Sequence, residues 1–109
     1  MKDYDTQEEF TETAKNVMNN IAETDNPTDF EVLEVEYRVG PNKDLRGVKL
    51  VVATGGPQIE VYPFKKRVDV WQGTTQASVK ADKTFDGADA VEGMERLADY
   101  YAEMWGAVR

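Results

Sequence analysis

Phe10, Ala14, Val17, Met18 and Ile21 recur every three or four residues, which predicts an amphipathic helix near residues 6–22. Thr6-Gln7-Glu8-Glu9 has the spacing of a capping box, with Thr6 as N-cap and Glu9 three residues on. Glu8, Glu9 and Glu12 occupy the first turns, where the helix dipole favours negative charge. Asp25-Asn26-Pro27-Thr28 predicts a turn, and beyond it the period changes from 3.6 to two. Leu33, Val35, Tyr37 and Val39 alternate with Glu34, Glu36 and Arg38, the pattern of a half-buried strand. Phe30 and Val32 fall on the other parity and imply a bulge or a late strand start.

Turn clusters then separate further alternating runs. Gly40-Pro41-Asn42-Lys43-Asp44 precedes a strand whose inward set is Val48, Leu50 and Val52. Thr54-Gly55-Gly56-Pro57 precedes a third strand at Ile59 and Val61, and Pro63 ends its regular pairing or puts it at an edge. Lys65-Lys66-Arg67 connects to a fourth strand containing Val68 and Val70, and residues 76–81 predict a short fifth. Ala90, Val91, Met94, Leu97, Ala98, Tyr101, Met104, Trp105 and Val108 form the apolar stripe of a helix over 87–107, with Asp86 as N-cap. Its other face carries Asp89, Glu92, Glu95, Arg96, Asp99 and Glu103. Gly93 interrupts the stripe, which points to close packing. The expected fold class is α+β: an antiparallel four- to five-stranded meander flanked by two amphipathic helices, one domain over 1–109.

Composition removes whole classes of chemistry. With 109 residues, no Cys and no His, the chain has no disulfide, no thiolate and no imidazole. No Ser, Thr or Lys has a plausible base beside it, so the expectation is a protein that is not an enzyme, with no catalytic residues, cofactor or metal. Asp82-Lys83-Thr84-Phe85-Asp86-Gly87 resembles the opening of a calcium loop, but Thr84 and Gly93 stand where that loop needs ligands. Glu36 and Asp69 lack the spacing and the lysine of a metal nuclease. No apolar run reaches membrane-span length and the acidic N-terminus has no signal-peptide pattern, so a cytoplasmic location is expected.

The net charge of −8 is unevenly spread. Residues 1–37 hold eleven acidic and two basic side chains, 38–83 four and nine, and 84–109 six and two. Two surfaces follow as partner-binding candidates. One comprises Glu8, Glu9 and Glu12 of the first helix with Glu31, Glu34 and Glu36, whose carboxylates at about 7 Å spacing along a strand imitate a nucleic-acid backbone. The same row also suits a solvated strand edge that resists aggregation. The other candidate is Tyr62 with Trp71, which face away from the predicted core side of the sheet unless the helices cover opposite faces. Trp105 is expected in the core and Trp71 at the surface. The basic turn has aromatic neighbours, yet the overall charge argues against direct nucleic-acid binding.

Gly56-Pro57-Gln58-Ile59-Glu60-Val61, Arg67-Val68-Asp69-Val70-Trp71-Gln72-Gly73 and the helix ending at Trp105 resemble small acidic proteins of phages and mobile elements, of the anti-CRISPR kind. That resemblance implies an inhibitor acting in the host cytoplasm on a nucleic-acid-targeting complex. With the charge pattern, the expected function is a non-enzymatic acidic protein-binding domain that meets a protein partner with a basic surface. The alternative is a phage accessory or structural protein assembling through the aromatic sheet surface.

Overall fold

The computed structural model describes residues 3–81 and 88–108. Helix α1 (Asp3–Glu23) leads through a 3₁₀ turn (Pro27–Asp29) into five strands, β1 (Glu34–Val39), β2 (Leu45–Ala53), β3 (Gln58–Tyr62), β4 (Arg67–Gln72) and β5 (Thr75–Lys80). Helix α2 (Ala88–Val108) closes the described chain. The strands form one antiparallel sheet in sequence order, as expected for hairpins joined by short turns. The architecture is α+β.

Both helices pack on the same face of the sheet. Phe10, Ala14, Met18 and Ile21 of α1 meet Ala90, Met94, Leu97 and Tyr101 of α2 over Val48, Leu50, Val61, Val68, Val70, Ala77 and Val79. Helix α1 lies against β4 and β5, and α2 lies beside it, touching β2. The helices approach closely because Gly93 has no side chain: a Cβ there would stand 2.6 Å from the Ile21 carbonyl oxygen. Arg96 reaches across the same junction and donates to the Thr24 carbonyl oxygen at 3.1 Å, satisfying an acceptor beyond the end of α1.

Several boundaries differ from the sequence reading. Helix α1 begins at Asp3, so Thr6 lies within it rather than at its cap. Asn26 caps the following 3₁₀ turn, accepting from the Thr28 amide at 3.1 Å. The turn delays β1 to Glu34 and sends Phe30 into the core, which accounts for the odd parity of Phe30 and Val32. Leu33, expected inward, is 67% exposed, and Val39 is exposed where the register slips beyond Arg38. Leu33 precedes the edge strand β1 and Val39 is its last residue. Trp105 is half-buried rather than deep in the core: its ring lies 5.3 Å from that of Tyr37 and its indole N–H donates to the Lys43 carbonyl. Met104 is exposed. Gly55 and Gly56 take the positive φ expected of the β2–β3 turn. The Asp86 cap and the calcium-loop-like stretch lie outside the described residues.

Candidate functional site

Because both helices cover one face, the other face of the sheet carries the remaining strand side chains in rows set by the register. Glu36 pairs with Lys49, Tyr62 with Arg67, and Arg67 with Lys80, giving a row rich in cations. The next row runs Glu34, Val51, Glu60, Asp69 and Ser78. Gln58, Trp71 and Gln76 form a third. Tyr62 and Trp71 therefore share this face but lie four strand residues apart, separated by the carboxylates between them. Trp71 is 37% exposed and Tyr62 is half-buried.

Glu60 and Asp69 are directly opposite one another and only 6% and 5% exposed. Two carboxylates so placed repel, and each needs compensation to stay ionised. Tyr62 Oη donates to Glu60 at 2.9 Å, Gln58 donates to the other oxygen, and Lys49 Nζ stands 3.6 Å away. Burial pushes the Glu60 carboxyl up, but these donors and the lysine charge together hold it below the usual range. Lys49 also meets Glu36 at 3.2 Å; that hydrogen bond raises its pKa, against the lowering effect of burial. Burial raises the Tyr62 hydroxyl, and its bond to Glu60 adds to the effect. Asp69 accepts from Ser78 Oγ at 2.8 Å and lies 3.0 Å from Arg67 Nε. The Arg67 N–H is not directed at it, so that contact is electrostatic. The guanidinium sits 4.6 Å over the Tyr62 ring. Both carboxylates of the network have partners, and it ties Tyr62 into the sheet rather than leaving it free as an anchor.

The acidic candidates do not converge on one spot. Glu8, Glu9 and Glu12 are exposed on α1, which packs against β4 and β5. Glu34 and Glu36 are exposed on β1, the opposite edge, four strand spacings or about 19 Å across. Glu31 is exposed beside the C-terminal half of α1, in a groove of about 630 Å³ that it lines with Val17, Asn20, Asp29, Leu33 and Val52. Glu36 is occupied by Lys49.

The carboxylates gather instead on the outer side of the helical layer. Glu8, Glu9, Glu12 and Glu23 of α1 and Asp89, Glu92, Glu95, Asp99 and Glu103 of α2 are all exposed. Among the described helix residues Lys15 is the one exposed cation, since Arg96 is half-buried at the helix junction. Glu92, Glu95, Asp99 and Glu103 are spaced by three and four residues, so they line one side of α2 at rises of about 4.5–6 Å. By contrast the open sheet face balances Glu34, Glu36, Glu60 and Asp69 against Arg38, Lys49, Arg67 and Lys80. The α2 carboxylates were visible as a helical stripe, but a stripe does not reveal that it lies beside the acidic side of another helix. Glu60 was hidden because its burial depends on neighbours from three strands.

The fold and its charge define a two-layer α+β domain, with an acidic helical layer over a charge-balanced sheet. Comparison with protein-family profiles, curated proteins and solved structures gives no match for this chain. No helix among the described residues is long and apolar enough to cross a membrane.

Proposed function

We propose that this chain is a non-enzymatic acidic protein-binding domain whose helical layer docks on a basic, nucleic-acid-binding surface of a partner protein. The observation that carries the reading is the layer's exposed charge, nine carboxylates against one ammonium among the described residues. The α2 stripe has a spacing comparable to that of successive phosphates, so sites built for a polyanion meet anions at suitable intervals. Mutual repulsion among these groups is relieved when a cationic surface covers them. Inhibition of a nucleic-acid-targeting complex is the specific form of this function that the resemblance implies. In this reading Glu8, Glu9 and Glu12 act with the α2 carboxylates, while Glu31, Glu34 and Glu36 contribute at the periphery.

The test is retention of a heparin-purified fraction of bacterial nucleic-acid-binding proteins on the immobilised chain. Bound proteins should elute with duplex DNA and with moderate salt. Replacing Glu92, Glu95, Asp99 and Glu103 together by Gln or Asn should reduce retention several-fold, and Trp71→Ala should not. Absence of retention at low salt would overturn the proposal. So would retention that resists DNA and salt but disappears in Trp71→Ala, which would transfer the interface to the sheet face.

A further inference from the structure

We infer that the end of the sheet at the β3–β4 turn binds a phosphate-bearing aromatic ring, the chemistry of a nucleotide. The turn is held rigidly: the Lys65 amide donates to Tyr62 O at 3.1 Å, the Lys66 amide to Pro63 O at 3.2 Å, and the Ala81 amide to Lys66 O at 2.8 Å. The last bond ties the turn to the end of β5, so Lys66 and Lys80 are kept at the same end of the sheet. Lys66 has φ +55°, a left-handed conformation that a lysine adopts only where the turn imposes it. Arg67 and Lys80 are directly opposite each other, an arrangement of like charges that a bound anion would relieve.

Asp69 answers Arg67. Among the described residues, Lys65, Lys66 and Lys80 have no carboxylate within ion-pair distance. These cations and Phe64 line a groove of about 410 Å³, within the size range of small-molecule sites. Phe64 is 38% exposed and also borders a second, smaller hollow with Arg38, Arg46 and Tyr62. An accessible aromatic face among ammonium groups that no described carboxylate pairs suits stacking of a flat ring with phosphates beside it. The acidic helices lie behind the sheet, about one layer spacing or ~10 Å away, on the order of the Debye length at physiological salt. Their repulsion is therefore damped for a short ligand and accumulates for a long duplex. The inference does not depend on the docking of the helical layer.

The experiment is an amide-resolved NMR titration of the full chain with ADP, with an eight-residue oligothymidylate and with inorganic pyrophosphate. ADP or the oligonucleotide should shift the signals of residues 62–67 and 79–81. Stronger binding of ADP assigns the groove to free nucleotides, and stronger binding of the oligonucleotide assigns it to a strand end. Lys65→Gln and Lys80→Gln, both at exposed positions, should each weaken binding about threefold to tenfold. Phe64→Ala should weaken the ring-bearing ligands about tenfold and leave pyrophosphate unchanged. The inference fails if no shifts appear at millimolar ligand, if they are scattered over the surface, or if ADP binds no better than pyrophosphate and ignores Phe64→Ala.

Discussion

Glu60 and Asp69 face each other across β3 and β4, nearly fully buried on the face of the sheet opposite α1 and α2. Such a pair persists because Tyr62, Gln58 and Lys49 compensate one carboxylate while Ser78 and Arg67 compensate the other. Glu60→Ala should therefore destabilise the fold by about 1–3 kcal/mol, since it leaves the Tyr62 hydroxyl and the Gln58 amide short of an acceptor. Chemical denaturation at neutral pH measures this. A change under about 0.5 kcal/mol would mean that water replaces the carboxylate without loss.

The same carboxylate sets an acid limit. The folded pKa of Glu60 lies below the ordinary value of 4.5, so ionised Glu60 stabilises the fold above that pH. The contribution is lost as pH falls from about 4.5 through the lower folded value. Stability against pH should show this decline in the native chain and a shallower one in Glu60→Gln. Identical slopes would show that other carboxylates carry the acid sensitivity.

At the alkaline end the sign is reversed. Tyr62 and Lys49 have folded pKa values raised above 10.0 and 10.5. Their contributions are complete below those values and are lost as pH rises through the higher folded ones. Tyr62→Phe should flatten the alkaline decline that begins near pH 10 and cost about 0.5–1.5 kcal/mol at neutral pH. An unchanged alkaline slope would leave Lys49 and the buried Tyr101 as its source.

Gly93→Ala distinguishes helix propensity from packing. Alanine favours a helix over glycine by up to about 1 kcal/mol. The new methyl would stand 2.6 Å from the Ile21 carbonyl oxygen, a backbone atom that yields only if α1 and α2 separate. The expected result is net destabilisation of about 1–3 kcal/mol. A stabilised variant would mean that the helix junction has room to open.

Leu97 is 2% exposed and sits on the α2 stripe above the core, one turn from buried Tyr101. Leu97→Ala should cost about 2–5 kcal/mol. A loss below about 1 kcal/mol in a denaturant titration would place the stripe away from the core.

Local sequence determined the elements of this protein. Period 3.6 marked both helices, period two marked the strands, and Gly, Pro and Asn clusters marked the turns, because these depend on neighbouring residues alone. The stripe through Leu97 and Tyr101 was legible for that reason, as was the close packing at Gly93. Tertiary structure decided what alternation leaves undetermined, namely which side of the sheet each helix covers. Placing both on one side exposed Trp71, buried Glu60 and Asp69 among charged neighbours, and gathered two acidic helix faces into one layer. It also separated Glu8, Glu9 and Glu12 from Glu34 and Glu36 by the width of the sheet, although they are close in sequence. Solvation and charge depend on distances between elements, and those distances arise only when the apolar faces pack together.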